Sequence, residues 1–132
     1  MDDALYTELK ANTALTALIG GAFAPRIFAL QAPDKSPLPY LVFHLISGSI
    51  PSKTPRADAD YLYQIDVWAT SASEANSIQI VIANAIDGAG LTVTGWDNYH
   101  TKLRSIITDV ENEGAKQFYR CGGDYQFLWV KA

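Results

Sequence analysis

From Tyr61 to Asp87 an alternation of apolar and polar positions gives way, within a few residues, to a helical spacing. Tyr61, Tyr63, Ile65 and Val67 occupy every second position, which puts them on one face of a strand because successive side chains of an extended chain point to opposite sides. Beyond Ala69, Ser71 or Ser73 is placed to act as an N-cap, its hydroxyl accepting an orphan backbone N–H of the first helical turn. With Ile78 at the centre of the buried side, a 100° step per residue brings Ala75, Val81, Ile82 and Ala85 within about 60° of it. Ile80 falls near the opposite pole, beside Asn76 and Asp87, and Ile86 sits on the flank. The helix holds neither lysine nor arginine. Solvated helix faces usually carry mixed charge, so the Ile80 side is a candidate contact surface, although isolated exposed apolar residues are common.

The same reading extends to the rest of the chain. Asp2 or Asp3 caps a leading helix with Leu5 and Leu9 on its apolar side, and Asn12 and Thr13 offer a second cap before Leu15, Leu18 and Ile19. Gly20 and Gly21 stop it. Arg26 to Phe28 suits a short strand, and Pro33, Pro37 and Pro39 then impose an extended, irregular loop. Tyr40 to Ser49, YLVFHLISGS, is a near-continuous apolar run too rich in β-branched and aromatic residues for a helix. It predicts a central strand with Leu41, Phe43 and Leu45 on one face and Tyr40, Val42, His44 and Ile46 on the other. Ile50 to Asp60 has two prolines and four charges and reads as a long hairpin loop.

After the helix, Gly88 and Gly90 mark its end, Leu91 to Trp96 suggests a short edge strand, and Thr101 to Val110 another. The closing segment FYRCGGDYQFLWVK alternates, with Tyr119, Cys121, Tyr125, Phe127 and Trp129 on one side and Arg120, Asp124, Gln126, Leu128 and Val130 on the other. Gly122 and Gly123 in its middle point to a bulge or bend. The expected architecture is α+β: a mainly antiparallel sheet of about four strands with two helices packed on one face. The other sheet face, bearing Trp68 with part of the Tyr40, Val42 and Ile46 set, reads as more apolar than water tolerates.

Composition narrows the function classes. The 132 residues suit one domain, 1–132, and only 18% of them are charged, against roughly 25% for typical soluble domains. A shortfall of charge of this kind is what a surface hidden by self-association produces. The formal net charge of −4, with no stripe of lysine and arginine, disfavours direct nucleic-acid binding. One cysteine, Cys121, excludes an intrachain disulfide and the thiolate-rich zinc arrangements. The acidic start MDDALYTELK lacks the basic residues of a secretory signal, and no apolar run approaches the ~20 residues that span a bilayer, so a soluble chain made in the cytosol is expected.

Few residues invite chemistry. His44 and His100 are the only histidines, with no second ligand at metal-binding spacing. Asp66, between Ile65 and Val67, would be a raised-pKa acid in a reactive reading; paired with Arg104 or Arg120 of a neighbouring strand it is structural. Cys121 before two glycines imitates a loop nucleophile, but a lone cysteine among aromatic residues behaves as a small hydrophobe. Neither GGDY nor GGAF has the spacing of a phosphate-cradling loop. No catalytic residue, metal or cofactor is expected.

Four segments together carry a resemblance: RIF at Arg26 to Phe28, the strand and its approach PLPYLVFHLISGS, the unit YQIDVWATSASEANSIQIVIANAI, and the closing YRCGGDYQFLWV. In this order, over nearly the whole chain, they resemble the phage tail completion proteins, also described as tail terminators or tail-to-head joining proteins. The resemblance implies a non-enzymatic virion subunit, assembled in the host cytoplasm. It would form a closed ring, typically a hexamer, at the head-proximal end of the tail, in the neck. Such a ring stops tube polymerisation and joins the tail tube protein to the head connector, and DNA passes through it without specific binding.

A head-to-tail ring needs two different complementary patches per subunit. Trp68, Ile80, Val42 and Ile46 are the candidates for them, and Ile50, Lys53, Arg56 and Asp58 for a loop that reaches a neighbouring protein. Two other classes compete. A small ligand-binding or hydrolytic domain would gather His44, Asp66 and Cys121 in a cleft, and an adaptor would bind a peptide along a sheet edge.

Overall fold

The computed structural model describes residues 2–21, 23, 25–33, 36–49, 58–86, 96–113 and 116–131. Its elements are α1 (Asp2–Ala11), α2 (Thr13–Leu18), β1 (Ile27–Ala29), β2 (Tyr40–Ser49), β3 (Asp58–Ala69), α3 (Ala72–Ile86), β4 (Trp96–Glu113) and β5 (Lys116–Lys131). The strands form one sheet in the order β1-β2-β3-β5-β4, antiparallel except for the β1–β2 pair. The α+β, mainly antiparallel reading holds, with β1 as a fifth strand. The leading helical segment is two helices, separated where Asn12 caps α2 by accepting from the Leu15 N–H at 2.9 Å. Gly20 and Gly21 follow with φ of 115° and 89°, the left-handed region that favours glycine.

Alternation explains the strands. Leu41 and Phe43 of β2, Tyr63, Ile65 and Val67 of β3, and Cys121, Tyr125, Phe127 and Trp129 of β5 are all buried in a cluster with Leu5, Leu9, Leu15 and Ile19 of the first two helices. Tyr63 and Phe127 meet edge to face, centroids 5.8 Å apart, an arrangement aromatic quadrupoles favour. Leu45 departs from the expected inward set. It pairs with Tyr63 in regular register, ahead of the shift between Leu45 and Ser47, yet is 44% exposed.

Ser71 proves to be the α3 cap: its Oγ accepts the Glu74 N–H at 3.1 Å. The buried stripe of α3 is Ala75, Ile78, Gln79, Ile82 and Ile86, rotated from the expected one. Val81 and Ala85 are half-buried, Ile86 is inside rather than on the flank, and Ile80 is exposed as the spacing predicts.

Trp96 belongs to β4, which runs on through Thr101 to Val110 as one strand, so those two segments are not separate strands where described; 91–95, like Gly88 and Gly90, lie outside the described residues. Gly122 and Gly123 are not a bulge. β5 keeps unbroken register with β3 across them, and the irregularities sit in β4, between Asn98 and His100 and between Leu103 and Ser105. The glycines instead admit side chains from above and below. A Cβ at Gly123 would stand 2.9 Å from Gln79 Oε1, and one at Gly122 2.6 Å from Asp66 Oδ1.

Candidate assembly surfaces

The sheet face away from the helices carries a group of hydrogen-bonded polar side chains beside the apolar ones expected there. Asp66 of β3 accepts from Gln64 Nε2 at 2.9 Å and from Arg120 Nη1 of β5 at 3.1 Å. Arg120 reaches on to Asp109 of β4 at 2.7 Å. Its guanidinium is held above the ordinary arginine range chiefly by the hydrogen bond to Asp109, with burial opposing. Farther along, Gln126 donates to Asp60, Arg104 donates to Gln126, and Ser105 donates to Asp124. The alternation that put Arg120, Asp124 and Gln126 on one face of β5 was right. What it could not show is which partners on β3 and β4 their polar ends meet.

One corner of this face is apolar. Phe28 of β1 packs edge on Tyr40 of β2, centroids 6.0 Å apart, and Trp68 lies opposite Tyr40 across the β2–β3 pair. Trp68 with Tyr40, Val42, His44, Asp66 and Leu30 lines an open depression of about 350 Å³. Val42 is 8% exposed and so offers little surface of its own. Ile46 lies further along β2, exposed at the register shift. Ile80, 55% exposed, stands on the helix layer. The four proposed contact residues therefore divide between two layers of the molecule. Ile50, Lys53 and Arg56 lie outside the described residues, and Asp58 opens β3 with its backbone opposite Val130.

The competing hydrolytic constellation does not assemble. His44 and Asp66 face the depression, whereas Cys121 is fully buried on the opposite, helix-covered side, next to Val67 of β3. Burial pushes its thiol up, away from the thiolate a nucleophile requires. Among the described residues, no three His, Cys, Asp or Glu side chains gather as a metal-holding group. Asp66 has its structural role, and of the two arginines expected to pair with it, Arg120 does.

The residue that sequence reasoning missed is Gln79. Fully buried, it donates from Nε2 to the carbonyls of Ile65 (2.9 Å) and Cys121 (2.8 Å) and accepts the Tyr125 hydroxyl on Oε1 (2.7 Å). One side chain thereby ties α3 to β3 and β5, and Gly123 leaves the space it needs. The signal was present in the spacing: positions 75, 78, 79, 82 and 86 form a stripe at i, i+3, i+4, i+7 and i+11 once a polar residue is allowed at its centre.

The family model described as tail completion protein gp17 matches residues 3–122. The chain belongs to the tail completion protein gp17 family. Members of this family are structural phage tail proteins, not enzymes, in agreement with the dispersal of the reactive side chains. Among solved structures, the fold is similar to a chain in the virion of a native gene transfer agent particle, with 18% identity and a TM-score of 0.72. The match covers 100% of this chain and 95% of that one. No curated protein matches. Among the described residues, the features of this tail completion protein open to function are the Trp68 corner with its depression and the exposed Ile80 side of α3.

Proposed function

We propose that this chain is the ring-forming subunit that ends the tail tube on its head-proximal side, stops tube polymerisation and joins the tail to the head connector. The observation that carries the reading is the family match over residues 3–122. The likeness to a chain taken from a gene transfer agent virion supports it. So does the placement of apolar surface on two different layers, the Trp68 corner and the Ile80 side of α3, because a head-to-tail ring needs two unlike patches on each subunit. The ring has six copies, as such rings typically do, and each copy acts as a single domain over 1–132. The segment from Ile50 to Asp60 reaches the tail tube or the connector, and the net charge of −4 lets DNA pass without sticking.

Native mass spectrometry of the purified chain, together with imaging of tails that carry it, tests the reading. A closed oligomer at the tail end is expected. Ile80→Asp and Trp68→Ala are each expected to lower its population by roughly tenfold, since a charge or a cavity is placed in a desolvated contact. An intact ring in both variants would remove these two residues from the interface. A position in the particle away from the tail end would overturn the proposal itself.

A further inference from the structure

Among the described residues, both edges of the sheet are open over part of their length. β1 covers β2 only from Leu41 to Phe43, and the Leu30 N–H closes that pairing on the Phe43 carbonyl. From His44 to Ser49 no strand lies on the outer side of β2 among the described residues, and none lies beyond β4. Exposed edges with unpaired N–H and C=O groups template pairing with another chain, and proteins usually blunt them with charge, proline or bulges.

β4 is blunted in its first half, where both its irregularities lie. From Ser105 to Glu113 its register with β5 is unbroken, a regular stretch of about 30 Å at strand rise. Each open edge carries a pair of consecutive exposed apolar residues: Leu45 and Ile46 (44% and 45%) on β2, Ile106 and Ile107 (45% and 58%) on β4. Ile106 and Ile107 lie in regular strand and so point to opposite faces, Leu45 and Ile46 stand at the register shift, and among the described residues none of the four is buried.

We infer that the sheet continues from copy to copy, the open stretch His44–Ser49 of one subunit adding to the edge Ser105–Glu113 of β4 in the next. The inference rests on the ring reading above and specifies its contact. Charge selects the partner. The β4 stretch carries Asp109, Glu111 and Glu113 and no basic residue, so pairing β4 with a second β4 would set carboxylates side by side. β2 has no Asp, Glu, Lys or Arg in its ten residues, so it sets no like charge against that row. Because the two edges differ, each contact is heterologous, and one kind of contact uses both edges of every subunit, as ring closure demands. Main-chain hydrogen bonds hold the added strand, and the two apolar pairs fix where it sits.

The test combines charge with cross-linking. Ile107→Lys and Ile46→Lys, each with its thermal unfolding measured as a folding control, are compared with the wild-type chain by native mass spectrometry. Each is expected to reduce the oligomer by roughly tenfold, the effect of a lysine forced into a dry edge. In the otherwise unaltered chain, Ile46→Cys and Ile106→Cys together, treated with a short bis-maleimide, are expected to give a ladder of covalent oligomers ending at the ring number. Neither single variant should form the ladder. An oligomer of wild-type size in both lysine variants, with no ladder from the double cysteine chain, would overturn edge pairing and leave the ring standing. A wild-type chain that is monomeric both free and on isolated tails would overturn the ring and this contact with it.

Discussion

On the helix side of the sheet Phe43, Tyr63, Tyr125 and Phe127 are buried, and the polar Gln79 is buried among them with three hydrogen bonds made inside. On the other side of the same strands Gln64 and Arg120 donate to Asp66, and Gln126 donates to Asp60. The inner face is held by the removal of apolar area, worth roughly 25 cal/mol per Å². The outer face is held by polar pairs whose gain is largely offset by the water they displace. Two faces with the same alternation thus divide the labour: one supplies stability, and the other supplies a surface.

That contrast fails if substitutions on the two faces cost alike. The largest effect is expected from Phe127→Ala, which opens a cavity beside Tyr63 at a cost of about 4 kcal/mol. Chemical denaturation should show it as a lowered midpoint with little change in slope.

Gln79→Ala comes next. It leaves the Tyr125 hydroxyl without its acceptor, removes two donated hydrogen bonds and leaves a void, for a loss of about 3 kcal/mol. Gly123→Ala approaches the same group from the strand. Its Cβ would stand 2.9 Å from both Gln79 Oε1 and Tyr125 Cε2, a crowding worth about 2 kcal/mol. Since both substitutions act on one hydrogen-bonded group, the double variant should lose less than the sum. Strict additivity would show that Gly123 does not serve Gln79.

What could be read from the sequence follows the same division. Alternation in β3 and β5 and the stripe on α3 assign residues to faces, because burial of apolar side chains imposes a period that survives in the sequence. Ser71 was legible as one of two caps for a related reason, that a first turn needs an acceptor at one position. Gln79 and the glycine pair were not, since their meaning depends on what stands above them in space. The register shift at Leu45 and those in β4 left no mark either. Both edges looked like ordinary strands, and which strands end the sheet is decided by pairing between segments far apart in the chain. An arginine partner for Asp66 was legible, but which of Arg104 and Arg120 takes it, the latter 54 positions away, and that Asp109 completes the group were not.

The smallest effect belongs to Arg120. Its contacts to Asp66 and Asp109 are short, at 3.1 and 2.7 Å, yet the Asp109 side chain is nearly half exposed, so part of the group stays in water. Arg120→Met keeps the stem against the sheet and removes the charge, so about 1 kcal/mol is expected, less at high salt, where exposed pairs are screened. The pH dependence has a definite sign for this group. A guanidinium whose proton is held more tightly when folded contributes its full stabilisation below the ordinary arginine range and loses it only above, so across neutral pH the arginine itself adds no slope. Melting in low and high salt, wild type against Arg120→Met, checks both statements. A loss near that of Gln79→Ala, insensitive to salt, would mean that the outer face is a second core, and that a neighbouring copy or some other cover already shields it from water.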